Sequence, residues 1–157
     1  MVSAQSNDII DDILAEEEMT YGSAAYLLLL AIGELDETAD RAEAVTRFRQ
    51  LDSGLEIAGG TVVFQGASAR FRRVGEVLNY PPVAALTLGE YALLVMQTFE
   101  ISGGFMYSLT PSPRYAAREL AFRRAIQGRS FPRMSISGER GMRILGRILA
   151  LQEEGAL

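Results

Sequence analysis

The residues of this chain best suited to bind a ligand are three arginines and a tyrosine: Arg114, Tyr115, Arg118 and Arg129. The planar guanidinium group of arginine matches the oxygens of a carboxylate or a phosphate. A tyrosine ring beside such groups can stack on a sugar. We therefore take these four residues as the candidate site for a glycan or an acidic partner. The alternative is a basic helix face that meets only solvent.

The residue types that most often carry catalysis are absent. The chain has no Cys and no His, and all 15 of its basic residues are Arg. It therefore lacks a thiolate nucleophile, the commonest general base and a Schiff-base amine. The remaining candidates for a catalytic pair are Glu90 with Tyr91 and Glu119 with Arg118. Because no pattern places two acids on facing elements, we predict no catalytic residues. A carboxylate-based glycan hydrolase is the least favoured alternative.

No motif for a metal or a cofactor is present. The acidic residues between positions 8 and 18 lack the spacing and the glycine of an EF-hand loop. The paired glycines at 59–60 and 103–104 lack the strand and helix that surround a dinucleotide site. We predict that the chain binds neither a metal nor a cofactor.

Charge is unevenly distributed along the chain, whose net charge is −5. Residues 1–20 carry six acidic residues and no basic one, whereas residues 110–150 carry nine arginines and two acids. The net acidity argues against general affinity for nucleic acid. The basic half can instead meet an acidic partner, or the acidic N-terminal helix of this chain or of a neighbouring copy. The charge distribution is therefore compatible with an oligomer.

A second candidate surface is an aromatic cluster beside the glycines at 103–104. Phe105, Met106 and Tyr107 follow these glycines and Phe99 precedes them. Such a cluster is either an exposed contact for a partner protein or a corner of the core.

The elements that must position these residues share a recurring phrase, in which an apolar residue and a hydroxyl residue precede a helix. The hydroxyl residues are Thr20, Thr87 and Ser137. Such a side chain can accept a hydrogen bond from the free N–H groups of the first turn, so we predict that all three are N-caps. Recurrence on this scale is typical of stacked supersecondary units.

Hydrophobic periodicity predicts a single domain, residues 1–157, built from helices. The expected ranges are 7–17, 21–34, 38–52, 67–78, 87–99, 113–126 and 137–152, and we expect Gly128 to be the C-cap of the helix at 113–126. Residues 53–66 are expected to form a short strand or a loop. The longest apolar run, residues 24–32, is too short to cross a bilayer. The predicted fold class is an all-α, compact bundle of six or seven helices.

Residues 113–151 resemble the S-layer homology repeat in the order of their parts. A helix, a glycine stop, a short loop with proline and a hydroxyl N-cap precede a second helix. The pair Tyr115-Ala116 is similar to the aromatic–Ala pair that opens the family's first helix. The family's apolar–Thr–Arg–Ala–Glu phrase is similar to Leu86-Thr87-Leu88-Gly89-Glu90. The resemblance implies three units, roughly 19–85, 86–133 and 134–157, after an acidic helix at 1–18.

The resemblance also implies a function. Family members hold surface proteins to cell-wall polysaccharide, often through acidic sugar groups in grooves between repeats. An Arg of the family phrase helps to bind the anion, but Tyr21, Leu88 and Gly138 occupy its places here. A module that keeps the fold without this Arg can serve protein–protein assembly instead.

Together these inferences predict a non-catalytic module of the cell envelope. It anchors to cell-wall polysaccharide or peptidoglycan, or docks onto another envelope protein. Residues 2–5, Val-Ser-Ala-Gln, resemble the small-residue end of a removed signal peptide, which favours the periplasm or the envelope. The alternative is a cytoplasmic helical adaptor or regulatory protein.

Overall fold

The computed structural model of the chain describes residues 4–36, 38–50, 80–104 and 112–157. These ranges contain six helices and no strand, which confirms the predicted all-α bundle. The predicted strand or loop at 53–66 and the predicted helix at 67–78 lie outside the described residues. The helices are α1 (Ala4–Leu14), α2 (Tyr21–Ala31), α3 (residues 41–50), α4 (Leu88–Thr98), α5 (Pro113–Phe122) and α6 (Gly138–Glu153).

Helices α2, α4 and α6 begin in the same way. Thr20, Thr87 and Ser137 are their N-caps, with φ between −88° and −79° and ψ between 158° and 162°. In each case the hydroxyl oxygen accepts a hydrogen bond, 3.2 Å long, from the backbone N–H three residues ahead. The extended backbone at the cap brings the short side chain over the first turn, where the N–H groups have no partner within the helix.

The three cap segments also bind one another in cyclic order. The first residue of each helix donates its backbone N–H to a carbonyl in the chain that leads into another cap, at 2.8 or 2.9 Å. Three N–H groups that an α-helix leaves unpaired are therefore satisfied between units. The pairs are Tyr21 with Ala84, Leu88 with Met134, and Gly138 with Glu16.

The apolar residues directly before the caps lie at the centre of this arrangement. Met19, Leu86 and Ile136 are each at most 1% exposed. The N–H of Met19 donates to the carbonyl of Ile136 at 2.7 Å, and the N–H of Leu86 donates to the carbonyl of Met19 at 2.9 Å. The cap segments are therefore joined through buried backbone bonds as well as through apolar contact.

The core follows from the composition of the helices. Every residue of α2 from Tyr21 to Leu29 is buried, so this helix is surrounded by the others. Helix α4 packs most extensively against α5, α1 packs against α6, and α2 packs against both α4 and α6. The hydroxyl group of the fully buried Tyr91 on α4 donates to the carbonyl of Gly141 on α6 at 2.8 Å.

The predicted end of α5 is wrong. The helix ends at Phe122, four residues before the expected end, because Arg124 adopts a left-handed φ of 60°. The N–H of Ala125 then donates to the carbonyl of Leu120 at 2.9 Å, the long bond of a Schellman motif. Gly128 therefore is not the C-cap. It lies in the following loop, with φ of 79°.

Helix α1 lies three residues earlier than predicted, and two bonds of Glu16 explain its earlier end. The Glu16 carbonyl accepts from the N–H of Gly138 at 2.9 Å, and its carboxylate accepts from the hydroxyl of Ser23 at 2.7 Å. These bonds hold Glu16 outside the helix, so α1 ends at Leu14.

Candidate functional site

The structure places the site residues predicted from sequence on α5 and on the loop that follows it. Arg114, Tyr115 and Arg118 lie on α5, where both arginines are exposed and the tyrosine is half-buried. Arg129 lies in the loop after α5 and is exposed.

The predicted partner contact at Phe105, Met106 and Tyr107 lies outside the described residues. Phe99, the fourth member of the predicted cluster, is the C-cap of α4 and packs half-buried against the core.

The structure gathers a different set of arginines on α6. Arg140, Arg143 and Arg147 are spaced by three and four residues, so they share one face of the helix. With Gln127 and Ile144 they line a groove of about 280 Å³ between α6 and the loop that follows α5. We call this feature the α6 groove.

Arg140 forms the wall of the α6 groove. Its guanidinium group donates to the backbone carbonyl of Gln127 at 3.2 Å and to that of Arg129, and it also contacts the sulfur of Met134 at 3.4 Å. Burial, and then the nearby charge of Arg143, lower the pKa of Arg140, but a guanidinium group stays protonated at neutral pH. Arg140 thus holds the loop against α6 and adds a positive charge to the groove.

Arg143 is exposed and Arg147 is half-buried, and both line the groove. Arg143 forms an ion pair with Glu139 one turn earlier, and both side chains are 67% exposed. A pair this exposed contributes little to stability and is easily exchanged. The Nε atom of Arg147 is buried and has no hydrogen-bond partner among the described residues.

Among the described residues, no acidic side chain in α1 or directly after it forms an ion pair with the arginines of this groove. Asp12 and Glu16 pair instead with Arg41 on α3, at 3.8 and 3.0 Å. In the part of the chain that the structure describes, no three potential metal ligands gather at one point. The α6 groove itself is lined by arginine, glutamine and apolar or glycine residues, without a nucleophile or a general base. This arrangement can bind an anion.

The residues considered for catalysis have structural partners instead. The Glu90 Oε1 atom accepts from the hydroxyl of Thr87 at 2.8 Å, as part of the cap of α4. Tyr91 is fully buried, and its hydroxyl group is bound to Gly141.

Glu119 does not pair with Arg118 as considered above. Its Oε1 atom accepts from Nε of Arg123 at 2.9 Å, and its Oε2 atom accepts from the N–H of Gly104 at 3.0 Å. This carboxylate therefore links the end of α5 to the chain after α4.

Sequence reasoning counted the arginines of α6 but did not treat them as a site. The available signal was their spacing, since basic residues at positions 140, 143 and 147 must share a helix face. The loop that completes the groove carried no comparable signal, because it is placed by Arg124 and Arg140.

No protein-family model, curated protein or solved structure matches this chain. Each helix within residues 4–36, 38–50, 80–104 and 112–157 is too short or too polar to cross a membrane.

Proposed function

We propose that this chain is a non-catalytic binding module of the cell envelope that anchors to an anionic cell-wall polymer through the α6 groove. The observation that carries the proposal is the gathering of Arg140, Arg143 and Arg147 on one groove. Arginine forks bind carboxylate and phosphate oxygens through charge-assisted hydrogen bonds.

The cell-envelope setting is supported by the resemblance of the cap phrase to the S-layer homology repeat. Three segments that begin with that phrase share one cap geometry and bind one another in cyclic order. Helices joined in this way can position a binding site.

In this chain, the positions that hold the anion-binding arginine of the S-layer homology repeat cannot serve as an anion site. Tyr21 and Leu88 occupy two of the three positions of the family arginine, and both are fully buried. At the third position, a side chain on Gly138 would overlap the carbonyl of Ile13. We therefore assign anion binding to the α6 groove.

Sedimentation with purified cell-wall sacculi tests the proposal. Wild-type protein should co-sediment saturably with intact sacculi, and much less with sacculi stripped of their anionic polymer. The variant R143A/R147A should bind at least about tenfold more weakly, because it loses two charge-assisted contacts. The matched control R114A/R118A removes two exposed arginines from α5 and should bind within about threefold of wild type.

Two outcomes would contradict the proposal. If intact and stripped sacculi bind equally, the anionic polymer is not the ligand. If both double variants lose binding alike, general basic charge rather than the groove is responsible. Absence of any wall binding, together with a defined complex with an acidic envelope protein, would support the docking version of the function.

Cell location is tested separately by fractionation of the native host. An envelope module should be found in the periplasmic or wall fraction. Recovery with a cytoplasmic marker enzyme would instead support the cytoplasmic adaptor or regulator.

A further inference from the structure

We infer that an exposed, basic face of α5 binds the acidic face of α1 from a second copy of this chain. Opposite charge selects the partner, and one apolar contact adds to the affinity. Neither face includes a residue that lines the α6 groove, so this contact is separate from the proposed function.

The basic face of α5, which we call the α5 face, combines charge with exposed aromatic surface. Arg114, Arg118 and Phe122 are spaced by four residues, so they form one row along the helix. Both arginines are exposed, Phe122 is 83% exposed, and Tyr115 lies half-buried beside the row. Arginine and aromatic residues are the types enriched where proteins meet, so the α5 face has the composition of an interface.

The acidic face of α1, which we call the α1 face, has charged and apolar residues in the same order. Asp8, Asp11 and Leu14 are spaced by three residues, and all three are exposed. On both helices, two like charges precede a large apolar side chain. A row with a spacing of three on one helix packs against a row with a spacing of four on another when the two helices lie about 20° apart. In a parallel arrangement the acids meet the arginines and Leu14 meets Phe122.

The charges of both faces are available to a partner. Among the described residues, the ion pairs engage none of Asp8, Asp11, Arg114 and Arg118. Asp12 is left out of the α1 face because it already pairs with an arginine of α3. Complementary charges that face each other across an interface select the partner and its orientation.

A second copy is the occupant because every copy supplies both halves of the contact. Helix α1 packs against α6 and α5 packs against α4, so the two faces lie on different helices. Such a contact can be repeated from copy to copy. The helices have only eleven and ten residues, so the buried area is small and association should be weak.

Sedimentation velocity of the full chain tests the inference. Wild type should form larger species as its concentration rises from about 10 μM to about 1 mM at an ionic strength of about 0.05 M, and about 0.5 M salt should weaken association at least about tenfold. R114E/R118E and D8R/D11R should each self-associate at least about tenfold more weakly, because like charges then face each other. F122A should weaken association about threefold to tenfold, because it removes the apolar contact.

Charge exchange distinguishes a second copy from any other acidic partner. An equimolar mixture of R114E/R118E and D8R/D11R should associate to within about threefold of wild type, since opposite charges face each other again. The quadruple variant that combines both sets should do the same alone. The matched control R129E/R133E has the net charge of R114E/R118E but changes the exposed loop after α5, and it should associate as wild type does. Backbone amide spectra establish that each variant is folded.

Four outcomes would overturn the inference. Wild type that stays monomeric at about 1 mM and low salt would leave the α5 face to an acidic segment of a different protein. The others are self-association of either reversal variant at the strength of wild type, an equal loss of association in R129E/R133E, and a mixture of the two reversal variants that stays monomeric. No wall polymer is present in these measurements, so their outcome does not depend on anchoring through the α6 groove.

Discussion

Single residues decide how the helices of this chain stop. Gly33 follows α2 and Gly155 follows α6, both with positive φ, as glycine readily allows. Glu100 after α4 and Arg124 after α5 occupy the same conformation, with φ of 50° and 60°. For residues with a Cβ atom, this conformation costs roughly 1–2 kcal/mol. Helices α4 and α5 therefore end at some cost in stability.

R124G should raise the free energy of unfolding by about 0.5–1 kcal/mol, because glycine adopts the left-handed conformation without steric cost but gains entropy in the unfolded chain. Urea denaturation measures the change. The control G33A should lower stability by about 1 kcal/mol for the reverse reason. A destabilised R124G would show that the Arg124 side chain contributes more than its backbone conformation costs.

Tyr91 makes stability depend on pH in alkaline solution. Burial raises the pKa of its hydroxyl group well above the ordinary value of 10.0, so it stays protonated in the folded chain. In the unfolded chain it ionises above that value. Its contribution is therefore fully present below pH 10 and is lost as pH rises further.

Y91F should flatten this alkaline loss of stability, and it should cost about 1 kcal/mol at pH 7 through the missing bond to Gly141. Denaturation at several pH values between 8 and 11 gives both quantities. Equal slopes for wild type and Y91F above pH 10 would show that other tyrosines dominate.

Local chemistry explains which residue-level features the sequence predicted. A hydroxyl residue before an apolar run acts within one turn, so the caps at Thr20, Thr87 and Ser137 could be predicted from their neighbours. The stop at Arg124 could not, because arginine and alanine favour helix and Gly128 offered a more typical stop nearby. The left-handed arginine is seen only in the folded chain.

At the scale of elements, the helices meet through close backbone contacts at their first turns. Gly22 and Gly89 are the second residues of α2 and α4, and their N–H groups donate to the carbonyls of Pro82 and Pro132 at 2.8 and 2.9 Å. A Cβ atom on Gly89 would lie 2.8 Å from the carbonyl oxygen of Pro113. Only glycine allows this approach without a shift of the neighbouring chain.

G89A should therefore lower the free energy of unfolding by about 1–3 kcal/mol, the usual cost of overpacking. G146A is the matched control, because Gly146 is exposed within α6 and a Cβ atom there would meet nothing within 4 Å. It should raise stability by about 0.5–1 kcal/mol through helix propensity. Similar thermal shifts in the two variants would contradict the packing account.

How well the helix bounds could be predicted depended on how close in the sequence the residues that fix each bound lie. Helix α4 was predicted to within one residue of each end, because its cap, its apolar run and its stop are contiguous in sequence. The end of α1 was missed because Glu16 is held out of the helix by Ser23 and by Gly138, the latter more than a hundred residues away.

At the scale of the whole molecule, the frame and the candidate site have different origins in the sequence. The frame, meaning the three joined cap segments at Thr20, Thr87 and Ser137, rests on three similar stretches of sequence. Their recurrence predicted that the three segments would have similar structures. The α6 groove rests on one long-range arrangement, in which Arg140 binds the carbonyls of Gln127 and Arg129. No repeat or local pattern encodes that contact, so sequence reasoning favoured the arginines beside Tyr115 instead.

The charge distribution adds a condition to the binding account. The chain is acidic overall, with a net charge of −5, so attraction to a polyanion must come from the local field of the α6 groove. Binding to wall polymer should weaken as ionic strength rises from 0.05 to about 0.5 M, because the screening length falls below about 10 Å. Isothermal titration at several salt concentrations measures this dependence, and affinity that is independent of salt would contradict an electrostatic site.

The most direct measurement of the central claim compares the dissociation constants of R143A/R147A and R114A/R118A for the same purified anionic wall polymer at one ionic strength. The α6 groove account predicts that the first variant binds at least about tenfold more weakly than wild type, while the second stays within about threefold. If R114A/R118A loses affinity and R143A/R147A keeps it, the anion binds at the face of α5 and the groove is not the site.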